Sequence, residues 1–400
     1  MKNKILKIKS LAILSMAFIA ISCDENNLAP LENNTTPPGI VENVQIENLP
    51  GKSVISYALP KDQDLLYVKA EYQLESGKKM EVKSSYYNNS LVVEGFSKEE
   101  EETVTLYAVN RSEVASEPVK VTIKPLESPI WDVYRSIEVG PAFGGISLKA
   151  INELRHDLSI LVMEKNEQND WIVNPNSIYT STDSINRTIR PFDIEEHNIA
   201  VTVRDRWLNT TDTLYTSITP FLELSLPKSD YKWYPLPGDT PVHPNAQPPG
   251  MWDGDIMNWP RVFLTQGSAP GQHVVTIDIG VLAKMSRIVI WDYPEYYQGR
   301  TYYYIGDLKY FEIWGSANPN PDGSLDSSWV KLGSYEETKP SGLPFGQQTD
   351  EDYQTANAGF SWDFDPEAPK VRYLRIKSLE NWGGTGSMSI GEIQVYGNPN

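Results

Sequence analysis

"VRYLRIKSLENWGGTGSMSIGEIQVYG", residues 371–397, decides the fold class. Its first nine residues largely alternate apolar and polar side chains, and so do its last seven. Between them lie a tryptophan, three glycines and several small polar residues. Two short alternating runs separated by glycines read as strand, loop, strand. The segment "GGTGSMSIG" also invites a phosphate-loop reading. It lacks the GK[ST] ending and leads into a strand rather than a helix, so that reading is rejected.

The same pattern extends outward through almost the whole chain, with short alternating runs broken by Pro, Gly, Asn and Asp. Helical periodicity is nearly absent, so the expected class is all-β. Residues 39–125 hold seven such runs, from "VENVQIENL" to "PVKVTIKP", the number a β-sandwich needs. Their order, and "YAVNRSEVASEPVKVTI" at 107–123 as the last two strands, resembles a fibronectin type III domain. Tyr57 stands where that family has a core Trp. Residues 126–225 repeat the plan. "VTVRDRWLNTTDTLYTSITP" at 201–220 lies in the same place as "VTLYAVNRSEVASEPVKVTI" at 104–123, which predicts a second sandwich of similar size.

A proline-rich linker, "YPLPGDTPVHPNAQPPG" (234–250), then marks a change of composition, and residues 226–400 hold eight of the eleven tryptophans. "WDGDIMNW" (252–259), "KYFEIWGS" (309–316) and the opening stretch together resemble a discoidin, or factor V/VIII type C, domain over roughly 245–397. That resemblance implies the β jelly-roll also used by galactose-binding carbohydrate modules.

Three constellations here carry possible chemistry. In "DGD" (253–255), Gly254 permits a sharp turn that gathers carboxylates and loop carbonyls, oxygens of the kind Ca²⁺ prefers. The discoidin resemblance implies a fuller set. Asp253 and Glu392 supply side-chain oxygens, Gly250, Asp255 and Gly391 supply carbonyls, and Asn258 stands where the family has Thr or Ser. The expectation is a structural Ca²⁺, with Na⁺ as a variant; an Asp-Gly turn without an ion is the alternative. The second constellation is "WDYPEYYQGRTYYYIG" (291–306), with seven aromatics between Trp291 and Tyr304. Rings of this kind offer an apolar face to a sugar and a polar edge to its hydroxyls, and Arg300 offers fixed hydrogen-bond donors. Trp291, Tyr293, Tyr296, Tyr297, Arg300 and Tyr302 are therefore candidate glycan contacts. The alternative is that half these rings pack beneath the loop as a satellite core, where Trp291 would also fit. The third is Trp382, placed by its paired glycines on a loop and, by the resemblance, at a ligand-contacting position.

Catalytic patterns are missing from the sequence. The four histidines are scattered, and neither H-E-x-x-H nor G-x-S-x-G occurs. Two carboxylates suffice for a glycosidase, but the best-placed pair, Asp253 and Glu392, fits metal ligation better. The chain carries a formal charge of −18. Such a surface repels phosphate backbones and anionic lipid, which argues against nucleic acid as a partner.

The N-terminus completes the expectation. "MKNKILKIKS" and "LAILSMAFIAIS" form the basic and apolar regions of a secretory signal over residues 1–22. They end at Cys23, the only cysteine, which resembles the lipidated residue of a bacterial lipoprotein, although Ala20 replaces the usual Leu. A soluble exported protein is the alternative. Residues 23–38 read as a flexible tether, and "DENN" (24–27) resembles a surface-export signal of Bacteroidetes lipoproteins. The complete layout is similar to the surface glycan-binding lipoproteins encoded beside outer-membrane glycan importers in Bacteroidetes. It implies a non-catalytic protein at the outer membrane, held to the membrane only by its lipid, with a glycan ligand and a transporter complex as partner. A cell-adhesion protein and a divergent glycosidase are the competing readings.

Overall fold

A computed structural model describes residues 33–267, 272–297, 299–384 and 386–400. The signal segment and Cys23 lie outside these residues. The fold is all-β: two β-sandwiches followed by a jelly-roll-type sandwich. Each has its own apolar cluster, built around Val68 and Leu106, around Ile160 and Val201, and around Ile277 and Ile393. Among the described residues no helix is long and apolar enough to cross a membrane.

The first sandwich contains β1 (Glu42–Leu49), β2 (Lys52–Ala58), β3 (Leu65–Gln73), β4 (Lys79–Ser85), β5 (Ser90–Glu94), β6 (Glu102–Asn110) and β7 (Val119–Ile123). They form a three-stranded sheet, β1-β2-β5, and a four-stranded sheet, β4-β3-β6-β7. Tyr57 is buried in their shared core.

The second sandwich opens with a short helix, α1 (Ile130–Arg135). Its strands are β8 (Glu138–Ala142), β9 (Gly145–Ile151), β10 (Leu158–Lys165), β11 (Trp171–Val173), β12 (Ile178–Thr180), β13 (Ser184–Ile189), β14 (His197–Asp205) and β15 (Leu214–Ile218). The plan recurs as β8-β9-β13 facing β11-β10-β14-β15, with β12 as a second partner of β10. The repeat reaches down to single hydrogen bonds. Asn110 Oδ1 accepts from the N–H groups of Ser112 and Val114, and Asp205 Oδ1 accepts from those of Trp207 and Asn209. A short polar side chain closing its own backbone turn sets the same exit from β6 and β14. At the junction of the two units Trp207 packs against the first core, while Asn209 Nδ2 donates to the Gly95 carbonyl at 2.9 Å.

The C-terminal unit begins with β16 (Leu224–Ser225), β17 (Lys232–Trp233) and β18 (Phe263–Leu264), followed by the long β19 (His273–Trp291). After it come β20 (Glu295–Tyr296), β21 (Arg300–Thr301), β22 (Leu308–Ser316), β23 (Val330–Glu336) and α2 (Asp350–Ala358). The last strands are β24 (Phe360–Asp363), β25 (Val371–Asn381), β26 (Ser389–Ile390) and β27 (Glu392–Asn398). The first part of β19, His273–Asp278, pairs with β25 in one layer. Its last part, Lys284–Trp291, pairs with β27, and Arg287–Ile290 pairs with β24, in the other layer. One strand thus belongs to both layers and turns the corner between them. Gly280 sits at the corner with φ +82, and a Cβ there would lie 2.6 Å from the Asp230 carbonyl oxygen.

This unit is also tied to the second sandwich. Buried Glu223 accepts from Ser286 Oγ at 2.7 Å and from Arg287, whose guanidinium lies 3.6 Å over the Tyr396 ring. Arg190 and Thr188 both bind the Asp363 carboxylate.

Gly280→Ala combines a left-handed backbone with a steric clash, and such strain costs about 1–3 kcal/mol. The expected outcome in calorimetry is a thermal midpoint several degrees lower for the C-terminal unit, with the two N-terminal transitions unchanged.

Candidate functional site

The pairing register gathers the loops of the C-terminal unit at one rim. Trp291 pairs with Glu392, Leu308 with Asn381, Tyr310 with Glu336, and Phe263 with Ile390. The described residues of the segments that continue from these strand ends, 292–297, 299–307, 337–349, 382–384 and 386–388, therefore emerge together beside residues 252–262.

The proposed cation ligands come to this rim, where both carboxylates and the Gly250 carbonyl are already engaged. Gly254 turns the chain with φ +89, and its N–H donates to Glu392 Oε2 at 3.1 Å. The other oxygen of Glu392 holds the Lys228 ammonium. Asp253 Oδ2 holds Arg261 Nη2 at 2.7 Å, and its Oδ1 accepts the Asp255 N–H. The Gly250 carbonyl accepts the Asp253 N–H, the Asn258 carbonyl accepts the Arg261 N–H, and Asp255 Oδ1 accepts the Met257 N–H. Gly250 is required by close approach, since a Cβ would lie 2.3 Å from Arg261 backbone atoms. Gly391 donates its N–H to the Trp291 carbonyl. Two internal cations thus neutralise the two carboxylates, and Ca²⁺ would have to displace both. As placed, the two carboxylates present no unpaired oxygen to a metal, and among the described residues no cluster of three or more acid, His or Cys side chains could hold one.

The tyrosine-rich loop divides. Tyr302 and Tyr303 are fully buried and, with Ala356, form a satellite cluster against which Tyr353, Phe360 and Trp382 pack. Tyr302 Oη donates to Asn357 Oδ1 at 2.9 Å. Tyr293 is buried beside Trp259, and Trp291 lies against Gly359 with Lys228 5.9 Å from its ring centre. These four have little or no face to offer a ligand. Arg300 binds the carbonyls of Pro294 and Met257 at 3.0 and 2.9 Å and the Tyr293 hydroxyl at 3.3 Å. It clamps two rim loops together.

Tyr296 and Tyr297 remain outside, 80% and 46% exposed. Tyr297 stacks on Tyr304 with centroids 5.3 Å apart and planes at 13°, and Tyr304 stacks on Phe345 at 4.6 Å and 5°. Three near-parallel rings form a ridge whose far end, Phe345, is 47% exposed. The loop carrying Phe345 is braced from within. Lys339 Nζ donates to the carbonyls of Pro344 and Gln347, and Asp352 accepts from Ser341 and from Thr349 in the capping box that starts α2. Sequence reading missed Tyr304 and Phe345. The available signal was "LPFG" (343–346), a lone aromatic between Pro and Gly in a polar loop.

Trp382 is half-buried and anchored. Its Nε1–H donates to Glu337 Oε2 at 2.7 Å, and its ring meets Tyr303 edge-on at 5.1 Å. Beneath it lie three buried carboxyl groups that sequence reading also missed, Asp292, Asp307 and Glu337. Burial pushes all three well above the usual carboxylate range. The charges of Glu337 on Asp292, of Asp292 on Asp307, and of Asp307 on Glu337 push further in that direction. Ser389 Oγ and the Tyr304 N–H donate to Asp307 and oppose its shift. These acids are sealed from any glycosidic oxygen.

The fold and rim define a multi-domain β-protein that presents exposed stacked rings on a braced surface. Three family models, each described as a domain of unknown function, match residues 38–125, 126–229 and 252–397. A solved SusE-like protein is 30% identical over 67% of this chain and 98% of its own length, with a TM-score of 0.43. The chain belongs to the SusE-like proteins. Two carbohydrate-binding modules of Clostridium perfringens also match. One, from a family 31 glycoside hydrolase, is 14% identical over 44% of this chain and 95% of that chain, with a TM-score of 0.32. The other, the family 32 module of NanJ in complex with galactose, is 17% identical over 44% and 99%, with a TM-score of 0.31. Curated proteins give no match.

Two outcomes follow from the charges at this rim. Lys228→Met leaves buried Glu392 without its cation. Because Lys228 is itself partly exposed, the expected loss is about 1–3 kcal/mol, below that of a fully buried pair. Thermal unfolding measures it, and EDTA-treated wild type keeps its midpoint when Ca²⁺ is added. In the acid cluster, raised carboxyl pKa values mean the folded state binds more protons than the unfolded chain above the ordinary carboxylate range. Their stabilising contribution is full at low pH and is lost as pH rises. Asp292→Asn cannot ionise, so its stability relative to wild type should increase steadily from pH 4 to pH 8 in denaturant titrations.

Proposed function

We propose that this chain is a non-catalytic cell-surface protein that binds glycan through the rim of its C-terminal unit. The Tyr297–Tyr304–Phe345 ridge carries this reading, with Tyr296 beside it. Tyr297 and Phe345, exposed at the two ends of the stack, offer apolar ring surface to the C–H face of a sugar, while the tyrosine hydroxyl meets its polar edge. The bracing of the 337–349 loop lowers the ordering cost of binding. Trp382 enters as a buttress that packs edge-on against Tyr303, the neighbour of Tyr304, and the Arg300 clamp fixes the Tyr296 hairpin. Membership of the SusE-like proteins supports the surface setting.

The proposal includes lipidation at Cys23, tethering through residues 23–38 and placement at the outer membrane beside a glycan transporter complex. In that setting a weak site is sufficient, because anchoring raises the effective concentration of repeated sugar units at the surface. Two β-sandwiches between the tether and the rim act as a spacer.

Native electrophoresis through gels containing soluble polysaccharides tests this reading. Tyr297→Ala and Phe345→Ala should each weaken retention about tenfold, equivalent to about 1.4 kcal/mol, with an unchanged thermal midpoint. Trp382→Ala should lower the midpoint as well, because it removes the partner of Glu337. Retention that is indifferent to Tyr297 and Phe345 would overturn the assignment of the ridge.

A further inference from the structure

The two N-terminal sandwiches share a topology, but their equivalent outer sheet faces differ chemically. On the first, the outward side of β4-β3-β6-β7 is clothed in charge. Lys69 pairs with Glu71 at 2.5 Å and Glu81 at 3.4 Å, and Lys83 pairs with Glu81 at 3.3 Å. The same lysines cover the rings, Lys69 over Tyr107 at 5.1 Å and Lys83 over Tyr67 at 4.6 Å. This is the surface of a solvated spacer.

On the second, alternation places Ile160, Val162, Ile199, Val201 and Val203 in the core, which turns the intervening residues outward. The outward positions of β10, β11, β12, β14 and β15 include Met163, Trp171, Val173, Tyr179 and Tyr215. None of these outward positions is an acid, in a chain with 53 acidic residues; the charges there are Lys165 and Arg204, both positive. Trp171 and Tyr215 meet with ring centroids 5.5 Å apart. Register places Ala200 between Tyr215 and Met163, and Ala200 is 1% exposed on this outer face, as expected of a small residue lying beneath the ring pair. Tyr215 itself is 63% exposed and Tyr179 64%. Next to the rings, Lys165, Asn198, Thr216 and Ser217 line a depression of about 390 Å³. Ser217 Oγ donates to Asn198 Oδ1 at 3.0 Å, which leaves the Asn198 NH₂ group to donate elsewhere.

We propose that this face of the second sandwich is a second glycan-binding surface, taking an uncharged or weakly acidic polysaccharide chain across Trp171 and Tyr215. It rests on the reading of the protein as a glycan binder only for the class of ligand; the site is separate from the rim and is built from different residues. The two rings are tilted by 51° to one another, with Lys165 Nζ 5.4 Å from the centre of the Trp171 ring. The exposed Tyr215 ring therefore offers its face to the C–H side of a pyranose, while Trp171 and Lys165 flank it. Lys165, paired with Trp171, and Asn198, paired with Ser217, both line the depression and supply donors and acceptors for hydroxyls. The absence of carboxylates from these positions removes the repulsion that the rest of this acidic chain would impose on a uronate. Two sites on one chain would bind a long polysaccharide more tightly than either alone.

The test uses the full chain in native gels cast in turn with soluble glucan, galactan, mannan and xylan. The variants are Trp171→Ala, Tyr215→Ala, their double, Tyr297→Ala, and the triple combining all three. Thermal midpoints identify any variant that misfolds, and Tyr215→Ala, at an exposed position, preserves the test if Trp171→Ala does. The expected result is at least threefold weaker retention for each sandwich variant, about tenfold for the double, and a further loss in the triple. Retention unchanged by the sandwich variants but lost with Tyr297→Ala overturns this surface and leaves the rim assignment standing. Retention lost with the sandwich variants but indifferent to Tyr297→Ala supports this surface and overturns the rim. A chain retarded by none of the four polysaccharides overturns both.

Discussion

The C-terminal unit depends on one strand serving two sheets. β19 runs through both layers of the sandwich, and its turn at Gly280 fixes how they face one another. The partners of its two halves, β25 in one layer and β27 in the other, end or begin at the same rim. Trp291 at the end of β19 therefore comes to lie beside Glu392, more than one hundred positions later. The loops of the rim inherit their place from that arrangement. A Cβ at residue 280 would press on the carbonyl of Asp230, so the corner is specified by a backbone contact rather than by side-chain packing.

At the rim, electrostatics and packing assign roles that residue type alone does not. Asp253 and Glu392 meet as the discoidin pattern implies, yet each carries an internal cation, Arg261 and Lys228. An ammonium group from the first turn of the unit ties its start to its last strand, the task expected of a metal. Arg300 likewise spends its donors on carbonyls of two loops and so holds the site together. Burial holds the three carboxyls under Trp382 well above the usual carboxylate range.

The division of the tyrosine-rich loop shows where sequence reading stops. In "TYYYIG" (301–306) three consecutive tyrosines have different fates: Tyr302 and Tyr303 enter a satellite core, and Tyr304 joins an external stack. Tyrosine is amphipathic, so composition cannot say which ring faces inward. The decision rests on the backbone, which turns through left-handed conformations at Tyr303 and Ile305 (φ +54 and +34) and abandons strand alternation. Phe345 and the helix cap that braces its loop lie far along the chain from Tyr297, and no local pattern links them. The repeat of the two N-terminal sandwiches was legible as a weak likeness between residues 104–123 and 201–220. The structure shows its cause in matching side-chain-to-backbone turns at Asn110 and Asp205.

The sequence by itself determined the all-β class, the strand and glycine-loop pattern of residues 371–397, and the concentration of aromatics in the C-terminal unit. These are local properties, set by alternation and by residues that tolerate unusual backbone angles. Only the tertiary structure decided which rings are exposed, which cations neutralise Asp253 and Glu392, and which sheet faces are charged or aromatic. Those outcomes depend on contacts between residues distant in sequence, where burial and charge pairing act on positions that no short window contains.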